Sequence, residues 1–134
     1  MNVPKRQVSQ RQGVAAVEFA MVLPVIVLVL FGVLELACMI HVQSALLNAS
    51  REGARHAITR RATRASVTEI CQQSLQHAAV KHATVSVSPD PATAPPGTLI
   101  NVRASADYLA NSWLPGSGFF RGTHLSNEVT MRKE

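Results

Sequence analysis

One stretch restricts the folding options of this chain more than any other. Val14 to Val42 is almost entirely apolar over 29 residues. As a helix rising about 1.5 Å per residue it is roughly 43 Å long, which exceeds the ~30 Å hydrocarbon layer of a bilayer. It predicts a membrane-spanning helix. The strictly uncharged part, Phe19 to Leu34, is only 16 residues. A span of about 20 residues therefore brings Glu18 or Glu35 close to hydrocarbon. Pro24 removes one helix hydrogen bond and frees the carbonyl of Ala20, which predicts a kink or local unwinding there. A cleaved secretory signal fits less well, because its apolar core usually runs to only about 7–15 residues.

The remainder, about 70 to 90 residues, allows one small domain with a modest core. The net charge of +5 is unevenly spread. Lys5, Arg6 and Arg11 make the first 13 residues basic. Glu18 and Glu35 are the only charges from 14 to 42. Arg51, Arg55, Arg60, Arg61 and Arg64 oppose Glu52 alone between 43 and 66, and residues 67–134 balance. Basic flanks on both sides of an apolar run point to membrane surface or acidic partners, not nucleic acid. No aromatic residues interleave with the arginines, as a nucleic-acid reader would need.

Local patterns divide the chain further. Residues 1–12 are polar and basic and read as an unfolded leader. After Val42, the residues Val42, Leu46, Ala49, Gly53 and Ala57 recur at helical spacing as a stripe of mostly small side chains, with Arg51, Glu52, Arg55 and Arg60 off it. This predicts one helix of about 45 residues reaching to about Arg60, its inner half in lipid and its outer half amphipathic. Ser66-Val67-Thr68-Glu69 has capping-box spacing, and a second helix is expected from Val67 to about Lys81. Its apolar face, Ile70, Cys71, Leu75, Ala78 and Ala79, is expected to pack antiparallel on the outer half of the first helix. Thr84 to Ser88 alternates as a strand does. Leu99 to Tyr108 alternates too, placing Ile100, Val102, Ala104, Ala106 and Tyr108 on one face, and Leu125, Val129 and Met131 mark a last strand. Residues 109–122 read as a loop whose Trp113-Leu114 and Phe119-Phe120 cap the sheet core or meet a neighbouring subunit. The expected fold is α+β: a long N-terminal transmembrane helix continuing into an amphipathic half, a second helix packed on it, then a three-stranded antiparallel sheet.

Glu18 is the residue that asks for a chemical reason. An ionised carboxylate in a bilayer costs a few kcal/mol. It either snorkels to the inner interface or meets a cation. A cut after Gly13 would give Val14 a positive amine, and a neighbouring subunit could set that amine against this Glu18. Such a pair specifies the stagger between chains more than it adds stability.

These residues carry a resemblance. Gly13 followed by Glu18, with a basic leader before and an apolar helix after, resembles the processing site of type IV pilin-like proteins. The wider string Gly13-Val-Ala-Ala-Val-Glu-Phe-Ala-Met-Val-Leu-Pro24, then Phe31-Gly32, Glu35, Val42-Gln43, Ala49 and Arg51-Glu-Gly-Ala-Arg55, is similar to the TadE family of the tight-adherence (Flp) pilus system. The resemblance implies a prepilin peptidase cutting after Gly13, Val14 as the mature N-terminus and Glu18 as the motif glutamate. It gives no catalytic role to Arg51–Arg55. Phe19 departs mildly from the tyrosine that such chains often have. The implied organisation is a leader over 1–13, a transmembrane helix over 14–42 and an extracytoplasmic α+β domain over 43–134. The implied partners are the peptidase, other pilin and pseudopilin subunits, the inner-membrane assembly platform and the lipid bilayer.

Arg11 lies two residues before Gly13, whereas Arg51 starts nine residues past the run, so proximity places the N-terminus inside. His41, His56, His77, His82 and His124 lack metal-ligand spacing, no phosphate loop or nucleophile elbow is present, and no cofactor is expected. A disulfide between Cys38 and Cys71 would need a membrane-embedded sulfur to meet one outside. An enzyme is disfavoured. The competing reading is an uncleaved, signal-anchored protein with an extracytoplasmic binding domain.

Overall fold

The computed structural model describes residues 7–112 and 122–134, the first six of them by backbone alone. The sheet-capping role read for Trp113-Leu114 and Phe119-Phe120 lies outside these residues, as does the part of the leader before Gln7. The chain divides into two compact units between Leu36 and Ala37. The element order is α1 (Gln7–Ala57), α2 (Arg64–His77), β1 (Ala83–Ser88), β2 (Leu99–Asp107), α3 (Tyr108–Asn111) and β3 (His124–Arg132). This is the expected α+β class.

In the first unit, α1 differs from the sequence reading in two ways. It begins at Gln7, inside the basic leader. Glutamine and arginine are good helix formers, and no breaker stands between Gln7 and Gly13, so the helix propagates backward. It also stays helical through Pro24, so of the kink or local unwinding expected there the unwinding does not occur. One missing hydrogen bond does not interrupt a long ladder whose neighbours hold it on both sides.

The second unit is built on the rest of α1. Val42, Leu46, Ala49, Gly53 and Ala57 are all buried, joined by Ala45, Ser50 and Ala54, while Arg51, Glu52, Arg55 and Arg60 are exposed as expected. Small side chains on this face let α2 approach closely. A Cβ placed on Gly53 would sit 2.2 Å from the Cys71 sulfur and 3.4 Å from Val67. The Cys71 thiol donates to the Ala49 carbonyl at 3.3 Å, and His56 Nε2 meets Ser66 Oγ at 3.2 Å. Residue numbers rise along α1 as they fall along α2, so the two helices are antiparallel.

The helix ends fall elsewhere than expected. α1 stops at Ala57, where β-branched Ile58 and Thr59 lead into a turn closed by Thr59 N–H to the His56 carbonyl at 3.0 Å. The cap of α2 is Thr63, not Ser66. Ser66 N–H donates to Thr63 Oγ1 at 3.2 Å, and Thr63 N–H donates to Ser66 Oγ at 3.1 Å. The reciprocal box thus uses Ser66 as its third helical residue, a contribution of about 1 kcal/mol. The far end of α2 is His77 rather than Lys81. There Val80 N–H bonds the Leu75 carbonyl at 3.0 Å and Ala79 N–H the Gln76 carbonyl at 2.9 Å. This is a Schellman ending, with Ala79 at φ 56° in the place glycine usually takes. Buried Val80 makes the apolar contact that closes it. The face of α2 that is buried is accordingly Val67, Cys71 and Leu75.

The sheet has order β1-β2-β3, antiparallel throughout. Val87 pairs with Val102 and Val102 with Val129, placing apolar partners across the three strands. Ile100, Val102, Ala104, Ala106 and Tyr108 are each at most 3% exposed. β2 is therefore the strand around which the core closes, as its alternation predicts. Two asparagines, Asn111 of α3 and Asn127 of β3, bond to distant backbone. Asn111 donates to the Lys81 carbonyl at 2.9 Å and accepts from Lys81 N–H at 2.7 Å, while Asn127 donates to the Gln43 carbonyl at 3.0 Å.

Candidate functional site

The first unit is a helix with its apolar side chains turned outward. Every large hydrophobic side chain from Val14 to Leu34 is exposed, from 40% at Val27 to 74% at Met21. In water such a surface would aggregate; in lipid it is the stable arrangement. Among the described residues α1 is the helix long and apolar enough to cross a membrane. It has the character of a single-pass anchor.

Gly13 lies inside α1, and a Cβ there would meet nothing within 4 Å. A glycine inside a helix costs about 1 kcal/mol relative to alanine. Gly53 has a reason for that cost in the Cys71 sulfur. Among the described residues no such contact stands beside Gly13, nor beside Gly32. Val14, the next residue, is 59% exposed.

Glu18 is exposed on the same helix among Val14, Val17, Met21 and Val22, all open to the surroundings. No hydrogen bond or ion pair joins it to a described residue. It lies about 7.5 Å along the axis from Gly13, and four residues from Val14, which puts Val14 and Glu18 on one face. Glu35, by contrast, is buried at 8% exposure. The two acidic residues flanking the uncharged run thus have different surroundings, which their equal chemistry in the sequence does not reveal.

The cysteines offer no chemistry of their own. Neither is in a disulfide. Cys71 is wholly buried, and its pKa is pushed up to about 11, first by burial and then by the nearby Glu52 carboxylate. It stays a protonated, unreactive packing group at neutral pH. The half-buried Cys38 donates to the Asn111 carbonyl at 3.0 Å. No group of three histidine, cysteine, aspartate or glutamate side chains among the described residues is placed to hold a metal ion.

The structure also explains the Arg51-Glu52-Gly53-Ala54-Arg55 string. Gly53 and Ala54 point into the core, and the three charged residues point out. Two of its five residues are thus core packing, with Gly53 set against Cys71 and Val67 of α2, which the sequence alone does not show.

Compared with known proteins, the chain matches no curated protein and no solved structure. One family model matches, described as TadE-like protein, over residues 13–55. Its limits coincide with Gly13 at one end and the Arg55 of the packing motif at the other, so from the candidate processing glycine to the last buried turns of α1 this chain carries a TadE-like region.

Proposed function

We propose that this protein is a minor pilin or pseudopilin that takes part in assembling a tight-adherence (Flp, type IVb) pilus. The observation that carries the reading is the TadE-like match beginning at Gly13, with Glu18 five residues on inside an exposed apolar helix. A prepilin peptidase cuts after Gly13 and leaves Val14 with a charged amine. Because α1 runs through Gly13, the helix must open locally to offer an extended bond to the peptidase. A flexible glycine makes that opening easier. The matured chain stays in the inner membrane by residues 14–42, N-terminus toward the cytoplasm, with residues 43–134 outside. Glu18 then receives the amine of a neighbouring subunit in the membrane, which fixes the axial stagger between chains. Other pilin subunits and the assembly platform are the partners, and the role is structural, not catalytic.

Intact-mass measurement on membranes from cells with and without the peptidase tests this. The expected chain begins at Val14 only when the peptidase is present, and Gly13→Leu abolishes the shortening. A chain still beginning at Met1 in both strains overturns the processing step and leaves an uncleaved, signal-anchored binding protein, for which Glu18→Ala would not alter piliation.

A further inference from the structure

The arginines at the far end of α1 have no work inside the fold. Arg51, Arg55, Arg60, Arg61 and Arg64 are all exposed, and none of their guanidinium groups forms a hydrogen bond or ion pair with a described residue. The end of α1 accounts for Arg55, since cations favour a helix C-terminus. The others are not accounted for. Arg64 is the first residue of α2, whose first turn holds no acidic side chain. A cation there opposes the positive end of the helix dipole, and Arg60 and Arg61 precede it closely. Such a crowd of like charges is costly for folding alone.

Of these arginines Arg55 also reaches a groove between α1 and α2, which Glu52, His56, Ile70, Gln73 and His77 line with it. Guanidinium groups engage carboxylates through two parallel hydrogen bonds, and they lose less hydration than ammonium groups on doing so. Ile40, the last exposed large apolar side chain of α1, precedes Arg51 by 11 residues, about 16 Å of helix.

We propose that the α1–α2 corner is a docking surface for a carboxylate-rich segment of a partner protein, which pairs with the exposed guanidinium groups of Arg51, Arg55, Arg60, Arg61 and Arg64. This inference is independent of the cut after Gly13, since an uncleaved chain presents the same corner.

The test uses the full chain in neutral detergent micelles and a fluorescent oligoglutamate peptide as the probe. Binding is expected to saturate and to weaken with salt. Arg55→Glu with Arg60→Glu should lower affinity about tenfold or more, while Arg103→Glu with Arg132→Glu, on the sheet, should change it less than about twofold. Equal losses from the two pairs would reduce the effect to net charge and overturn the proposal. So would tighter binding of phosphatidylglycerol micelles or duplex DNA through the same arginines. Arg64→Glu separates binding from folding. It should weaken the peptide complex yet raise the melting temperature, because it places an acid at the start of α2. A lower melting temperature would assign Arg64 to the fold and count against the surface.

Discussion

The two halves of α1 use apolar residues in opposite ways. Before Leu36 the large side chains face outward and are 40–74% exposed. After Val42 the inward face is made of Ala45, Ala49, Gly53, Ala54 and Ala57, with Leu46 as its one large member, and all are buried. One helix therefore meets two environments. Lipid accepts bulk on every side, so nothing selects for shape there. Protein on one side demands a narrow stripe of small residues, because α2 and the sheet must approach the backbone. Hydrophobicity alone does not distinguish these halves; side-chain size does.

The strongest way to break the second half is to enlarge Gly53. Gly53→Val puts atoms where the Cys71 sulfur lies, and overpacking of this kind should destabilise the domain by about 3 kcal/mol or more. Urea unfolding in micelles, followed by far-UV circular dichroism, would show it. Part of the loss should return for Gly53→Ala when combined with Cys71→Ala, whereas strict additivity would remove the steric explanation. The comparison between halves is sharpened by two leucines. Leu46→Ala, at 0% exposure, should cost about 2–5 kcal/mol, and Leu28→Ala, at 73%, should leave domain unfolding unchanged. Equal costs would mean that the inner half is also packed against protein.

A smaller effect follows from Cys71. Its pKa is raised from about 9 to about 11, so the folded state holds a proton that the unfolded chain releases above pH 9. Stability should be level up to that pH and should fall progressively toward pH 11. Cys71→Ala should remove this component of the fall, leaving the slope contributed by other groups. If the two proteins decline in parallel, the buried thiol is not the titrating group.

Much of this arrangement is legible in the sequence, for a physical reason. The stripe on α1 and the alternation of β2 are periodic, and burial follows period wherever one face meets a core. Helix ends are less readable. Thr63 and Ser66 are both competent caps, and the choice between them depends on where the turn after Ala57 releases the chain. His77 ends α2 because Val80 is needed in the core, a demand made from outside the helix. The asparagine ties from Asn111 to Lys81 and from Asn127 to Gln43 span 30 and 84 residues, so no local pattern announces them. Gly13 and Glu18 present the reverse case. They are conspicuous in the sequence, but the fold gives them no partner, because the partners proposed for them are other molecules.

The core stripe on α1 also has a mechanical meaning. Leu46, Ala49 and Ala57 belong to the helix that carries the anchor and to the core of the domain at once. Drawing α1 out of the domain would therefore mean breaking its packing along the whole stripe at once, including the close contact of Gly53 with Cys71. A core that closed without this helix would survive such a removal; this one would not.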